Sequence, residues 1–248
     1  NRYMLEYNGA YNGSEKFSPD NRFAFFNSGA VGWNVANEKW FKPVSELQLF
    51  GRNIIDILKI RYSYGEIGED SVWDRFLYQT QWSYGGTTKL DSTNPNSASP
   101  YTWYKESKVG NPNIHWEKAV KQNLGIDYSL LNGLIAGTLE FFHEKRSDIM
   151  IAGGNRAVPQ YFGAQAPYMN KGRTKTTGYE LEMRLKYTFA NGLHAYANMN
   201  MTHAKNVVLE HDDPAYLPDY QKNAGFAIGQ GKSYIDNGTA QTWDEVIA

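Results

Sequence analysis

The sequence predicts an all-β chain whose strands run antiparallel and form a segment of a transmembrane β-barrel. The first of three observations behind this is alternation over 178–202: Tyr179, Leu181, Met183, Leu185, Tyr187 and Phe189 alternate with Glu180, Glu182, Arg184, Lys186 and Thr188. A helix would spread those charges around its whole surface, so a period of two means a strand with one apolar face. After a tight Ala190-Asn191-Gly192 turn the alternation resumes through Leu193, Ala195, Ala197, Met199 and Met201, which makes a hairpin. The second observation is strand length, about 9 to 13 residues, where a tilted membrane strand needs about 9 to 11 and a sandwich strand is more often about 5 to 6. The third is an asymmetry of connections: tight turns at Asn132-Gly133 and Asn191-Gly192, long loops after the third, fifth and seventh strands. Short turns at one end and long loops at the other are the pattern of an outer-membrane barrel.

The strands follow in order. Tyr3, Leu5, Tyr7, Gly9 and Tyr11 alternate with Met4, Glu6, Asn8, Ala10 and Asn12, and this first strand stops at Asn12-Gly13-Ser14. The loop after it is rich in turn formers, including Pro19 and Asp20-Asn21. A second strand is expected over 23–35, then a connection over 36–53 with one helical turn around 37–41. That connection is too long for a minimal turn and breaks the asymmetry. Leu58, Ile60, Tyr62 and Tyr64 mark the third strand; the stretch 68–116 has no sustained period and reads as a long loop. Leu124, Ile126, Tyr128 and Leu130 mark the fourth strand, and 134–146 the fifth. A loop over 149–177 leads to the hairpin that supplies the sixth and seventh strands, and an irregular segment is expected over 207–248. The outer loops are thus placed at 13–21, 68–116, 149–177 and 207–248.

Four charges on one strand cannot enter a dry core unpaired. Two environments accept such a strand: a sheet whose apolar face packs on a protein core, or a barrel whose apolar face meets lipid around a wet lumen. Composition is compatible with the second. A net charge of -1 over 248 residues gives no electrostatic reason to expect nucleic acid. The mean hydropathy of -0.60 does not argue against a barrel, because half of each strand and all the outer loops are wet. No apolar run approaches the roughly 20 residues of a membrane helix. Eighteen Tyr and 7 Trp suit interfacial girdles or stacking surfaces, and the absence of Cys removes disulfides and thiolate chemistry. The chain starts in mid-strand without a signal peptide and ends without a strand, so it reads as cut at both ends. An odd strand count leaves two open edges, which lipid does not tolerate, so something else must complete the sheet.

Five segments in order, NGSEKFSPDNRFAFFNSGAVGW (12–33), LKIRYSYGEIG (58–68), GNPNIHWEKAVKQNLGIDYSLLNG (110–133), NKGRTKTTGYELEM (170–183) and IGQGKSYIDNG (228–238), resemble the barrel of SusC/RagA-type TonB-dependent outer-membrane transporters. The resemblance implies a barrel of about 22 strands, filled by an N-terminal plug, with this chain forming the middle of its wall and the plug, TonB box and final strands lying outside it. It further implies location in the outer membrane of a Gram-negative bacterium, a SusD-like lipoprotein lid that captures glycans or peptides, and energising by TonB-ExbB-ExbD through the missing N-terminal region. Outer-membrane lipid would meet the odd-numbered residues of 179–189, while Glu180, Glu182, Arg184 and Lys186 would face the lumen. No cofactor, metal or nucleic acid is implied.

Trp73, Trp82, Tyr84, Tyr101, Trp103 and Tyr104 crowd the loop 68–116 and are the candidates for contact with substrate or lid; the alternative is that they pack the loop on itself. Trp116 is expected to anchor the fourth strand at the outer interface. Glu66, Glu69 and Asp70, and separately Glu210, Asp212, Asp213 and Asp219, form acidic runs, but neither has calcium-loop spacing and solvated loop charge is favoured. GFAIGQGKS lacks the first glycine of a phosphate loop, having Phe226 there, and His143-Glu144 lacks the second histidine of a zinc helix. Two other functions compete with import of oligosaccharides or peptides. One is a soluble carbohydrate-binding β protein using the aromatic loop 73–104, which requires the apolar faces to close on a core. The other is an outer-membrane hydrolase built on His203 with Asp212 or Asp213, or on His211; no Gly-x-Ser-x-Gly elbow supports it, and no enzyme is expected.

Overall fold

The computed structural model describes residues 2–49, 51–70, 74–88 and 101–233. Seven strands form one antiparallel sheet in which each pairs with its neighbours in chain order: β1 (Tyr3–Gly13), β2 (Phe23–Asn34), β3 (Ile55–Glu69), β4 (Glu117–Leu130), β5 (Ile135–Ile151), β6 (Met169–Thr188) and β7 (His194–Glu210). The register makes the sheet two-faced. One row across it runs Tyr3, Trp33, Ile60, Ile126, Leu139, Leu181 and Met201; the next row, on the opposite face, runs Met4, Gly32, Arg61, Gly125, Glu140, Glu180 and Thr202. Since side chains alternate with period two, a slip of one residue at any pair would exchange these faces, and the hydrophobic pattern therefore fixes the register.

The apolar band does not follow a single hydrogen-bonded row. From Tyr3 on β1 it extends through Leu5, Tyr7 and Tyr11 toward the end of the sheet that bears the long loops; from Leu181 on β6 it extends through Met183, Leu185 and Tyr187 toward the end with tight turns. The strands thus cross the band obliquely, as strands tilted within a barrel wall do. Among the described residues the connection between β2 and β3 meets the turn-end margin of this face, with Glu38 at Tyr3 and Trp33 and Arg52 over Tyr187, while the band away from that margin is open: Leu5 is 84% exposed.

The strands are longer than their alternation suggests, and three stretches expected to be loop are partly strand. β6 starts at Met169, inside 149–177; β7 runs to Glu210, past 207; and 68–116 contains its own hairpin, Gln81–Thr88 paired with Tyr101–Lys108. The missed ends carry no alternation to read: 170–177 is polar on both faces, and 117–122 has one apolar residue on each, Ala119 and Val120. The helical turn expected at 37–41 is present, with the Phe41 and Lys42 N–H groups bonded to the Glu38 carbonyl, and it runs between two short helices, Val35–Asn37 and Lys42–Ser45.

At the turn end, Glu38 takes hydrogen bonds from the Tyr3 hydroxyl (2.6 Å) and the Trp33 indole (3.1 Å), with the Arg2 guanidinium at 3.5 Å. The Tyr3 bond, then the Trp33 bond and the Arg2 charge, outweigh desolvation and hold its carboxyl below the ordinary glutamate range. A depressed pKa means stability that is present above the unfolded value and lost as pH falls through the folded one. Glu38→Gln is therefore expected to melt lower than the parent at pH 7. The gap should close as pH falls below about 4.3, as thermal unfolding in detergent at a series of pH values would show.

Candidate functional site: the charged face and the loop collar

The charged face is organised around Arg61. Its Nε lies 3.3 Å from both Asp127 carboxylate oxygens on β4, and its Nη2 reaches over β4 to Glu140 on β5. Gly125 makes this crossing possible, because a Cβ there would stand 2.8 Å from the Arg61 Cζ. Asn123 donates to the other Glu140 oxygen (2.8 Å) and Thr138 to Asp127 (3.3 Å). Toward the loop end a second chain links Lys121 to Glu144 (3.4 Å), Glu144 to Arg146 (2.8 Å) and Arg146 to Glu69 (3.3 Å).

Of the four charges singled out on β6, Glu182 and Arg184 form an ion pair at 2.7 Å. Glu180 stands directly opposite Glu140 and Thr202 and has no ion pair or hydrogen bond of its own among the described residues. Glu180 and Glu182 line a concavity of about 520 Å³ with Arg61, Thr138, Glu140, Asn200 and Thr202, whereas Lys186 lies beyond it toward the turn end. Arg61, Asp127 and Glu140 were missed by the sequence reading because what joins them is register between strands far apart in the chain. Their only sequence signal is that each occupies a polar position of an alternating strand.

Asp127 and Glu140 are diagonal neighbours on one face, and the Arg61 guanidinium between them offsets their repulsion. Arg61→Leu should cost about 1 to 3 kcal/mol, below the range for fully buried pairs because the site is partly wet. Adding Glu140→Gln should recover part of the loss, and a double-mutant cycle on detergent-solubilised protein measures it.

At the loop end the connections are joined into a collar. Phe17, Leu77 and Ile114, from three separate stretches, form a buried cluster bordered by Trp116, Met150 and Tyr168. Trp116 packs inward, against Phe17 (5.3 Å) and Phe26 (5.5 Å), and its indole donates to the Arg22 carbonyl; it belongs to this cluster and not to an outer interface as expected. Polar ties cross between loops as well: Ser18 to the Pro112 carbonyl (3.0 Å), Asn111 to the Tyr168 carbonyl (2.8 Å), and Asn170 to the carbonyls of His115 (2.9 Å) and Asp148 (2.7 Å).

Asp212, 9% exposed, locks the last described loop to this collar through Lys171 (2.6 Å), the Ala157 N–H (3.1 Å) and Arg156 (3.3 Å). Burial pushes its carboxyl up, but Lys171, the Ala157 N–H and Arg156 outweigh that and hold it below the usual range. Asp213 accepts the Asn223 and Ala224 N–H groups and faces His211 at 3.2 Å, Glu210 pairs with Arg173, and Asp219 with Lys222. The other acidic run is dispersed: Glu66 takes Lys118, Glu69 takes Arg146, and Asp70 takes Ser14 and Lys16. Both runs thus act as structural fasteners. His203 packs on Tyr179 (5.4 Å), and among the described residues neither Asp212 nor Asp213 pairs with it.

The loop hairpin divides the candidate aromatics. Trp82, Tyr84 and Tyr104 share one face, Tyr84 and Tyr104 in edge contact at 6.0 Å. Trp103, next to Tyr104 in the strand, faces the other side with Tyr101, its ring lying where a Cβ of Gly85 would be. Trp73 lies outside the described residues. All five described rings are exposed, and their contacts within the hairpin are Tyr84 against Tyr104 and Trp103 over Gly85. The hairpin is rooted in the collar by the Lys108–Asp74 ion pair, the Gly110 N–H to Thr80 and the Asn111 N–H to the Leu77 carbonyl.

A family model for the TonB dependent receptor-like β-barrel matches residues 1–246. The TonB-dependent receptor SusC of Bacteroides thetaiotaomicron is 28% identical over 240 residues, covering 94% of this chain and 22% of the relative. A TonB-dependent receptor of Formosa agariphila is 26% identical over 182 residues, covering 73% of this chain and 16% of the relative. The chain therefore spans about a fifth of the length of these relatives. Among solved structures, the RagAB peptide importer in its closed-closed state superposes with a TM-score of 0.68 at 20% identity, over 88% of this chain and 22% of the matched one, a likeness of fold.

Proposed function

Because the chain belongs to the TonB-dependent receptor-like β-barrel family, we propose that it forms part of the wall of an outer-membrane importer of SusC/RagA type that takes up oligosaccharides or peptides. The observation that carries this reading is the two-faced sheet. Away from the margin met by the connection between β2 and β3, its apolar band is left open by the described residues and fits lipid, and its opposite face is laced with ion pairs and fits a wet lumen. On this reading the tight turns are periplasmic and the collar is extracellular. Glu180, Glu182, Arg184 and Lys186 line the lumen. A SusD-like lipoprotein closes over the loop end, and TonB-ExbB-ExbD acts through a part of the protein outside this chain.

The aromatic face of Trp82, Tyr84 and Tyr104 is offered outward on a rooted hairpin, as a contact for lid or substrate requires. Replacing all three with alanine in the whole protein should reduce co-purification of the lipoprotein, or uptake of the oligosaccharide or peptide, at least severalfold. Unchanged values of both would remove the hairpin from the site. The import reading itself is tested by fractionation. The protein should leave the outer membrane only with detergent, accompanied by a lipoprotein, and a protein that is soluble without detergent would overturn it.

A further inference from the structure

The long connection between β2 and β3 stands out at an end otherwise made of tight turns. Its backbone coils helically from Glu38 to Leu47: the N–H groups of Phe41 and Lys42 bond to the Glu38 carbonyl, those of Val44 and Ser45 to Phe41, Glu46 to Lys42 and Leu47 to Val44. Glu38 and Ser45 are buried and Phe41 is half-buried, so one side of the coil turns toward the sheet. Trp40, Val44 and Leu47, spaced i, i+4 and i+7, share another side and are 63%, 48% and 59% exposed. Such a stripe has no reason to face bulk water.

Two observations say what covers it. The stripe is continuous with the apolar band of the sheet: the Trp40 ring lies 6.4 Å from that of Trp33, which stands in the row with Tyr3 and Ile60, and Phe41 meets Trp40 edge-on at 5.5 Å. Beside the stripe, Lys39 and Lys42 are exposed and form no ion pair among the described residues. Aromatic rings beside cationic side chains, at the margin of an apolar band, are the arrangement of an interfacial segment that buries its apolar side among acyl chains and sets its ammonium groups against lipid phosphates.

We infer that residues 38–47 are a membrane-surface foot, lying on the periplasmic leaflet of the outer membrane and binding phospholipid through Trp40, Val44 and Leu47. This rests on the reading of the apolar band as lipid-facing, and the test separates the two. The chain has no cysteine, so nitroxide labels can be placed singly by Val44→Cys, Leu47→Cys, Leu185→Cys and Asn191→Cys in the whole protein, with any cysteine outside this chain replaced by serine. The protein is then reconstituted in phosphatidylethanolamine–phosphatidylglycerol vesicles. Val44 and Leu47 are exposed, so cysteine there removes no interior packing.

In power-saturation measurements the labels at 44 and 47 should collide more with oxygen than with an aqueous nickel chelate, as should the label at 185. The label in the turn at 191 should do the reverse. Chelate-dominated collisions at 44 and 47, with 185 still in lipid, would place the segment in water and overturn the inference alone. Exclusion of both agents at 44 and 47 would mean a protein cover and would overturn it equally. Chelate access at 185 would overturn the lipid assignment of the band and the foot with it.

Discussion

Replacing Phe17 with alanine is expected to destabilise the loop collar by about 3 to 5 kcal/mol, the range for a truncated aromatic side chain whose cavity cannot collapse. Phe17 is fully buried, and so is Ile114 from a segment almost a hundred positions away in sequence. The backbone around them is held too tightly to close in: the Ser14 N–H bonds to the Arg22 carbonyl at 3.0 Å, the Asn111 N–H to the Leu77 carbonyl at 2.9 Å, and Ser18 to the Pro112 carbonyl at 3.0 Å. The loss should be local. Proteolytic cleavage within 109–116 and 152–168 should speed up strongly in the variant, while cleavage at the turn around Asn191 should not change. Phe17→Leu should have a much smaller effect. Equal protection of the loops in parent and Phe17→Ala would mean that the cluster does not hold the collar together.

The collar matters to the proposed function because, among the described residues, it is where the aromatic hairpin is rooted. Leu77 is both a member of the buried cluster and, through its carbonyl, a partner of Asn111, three residues past the strand that returns from the hairpin. Loss of Phe17 should therefore reach Trp82, Tyr84 and Tyr104 without touching them. Lid or substrate contact should weaken in Phe17→Ala in proportion to the loosening of the loops.

What could be read from the sequence followed contrast. Where one face of a strand is apolar and the other charged, as in 178–189, each residue declares its side and the face assignment survives in the structure. Where both faces are wet, as in 170–177, alternation vanishes although the strand continues, because a polar side chain suits either side. The loop hairpin was hidden for a related reason: Gly85-Gly86 end the period that Trp82 and Tyr84 begin, and on the partner strand Tyr101 and Trp103 fall on one face but Tyr104 on the other. The Arg61 centre was invisible for a different one. Asp127 and Glu140 lie 66 and 79 positions from it in the chain, and only the register between β3, β4 and β5 brings them to one guanidinium.

Lysine in place of Leu5 or Leu185 should cost about 2 to 4 kcal/mol at mid-membrane depth, whereas Thr188→Lys, on the wet face near the turn end, should be nearly silent. Leu5 decides more than Leu185 does. Leu185 is 38% exposed, so a lysine there would lose some packing in any environment; Leu5 is 84% exposed, and if its face met water a lysine would be tolerated within about 0.5 kcal/mol. Only a hydrocarbon surround makes the two positions alike, because the cost is then set by depth in the bilayer and not by neighbouring protein atoms. The oblique band makes the same demand, since Leu5 and Leu185 lie in different hydrogen-bonded rows yet each near the middle of the band on its own strand. Equilibrium unfolding of the whole protein in lipid vesicles measures all three variants. A silent Leu5→Lys would return the chain to the class of proteins whose apolar face closes on a core.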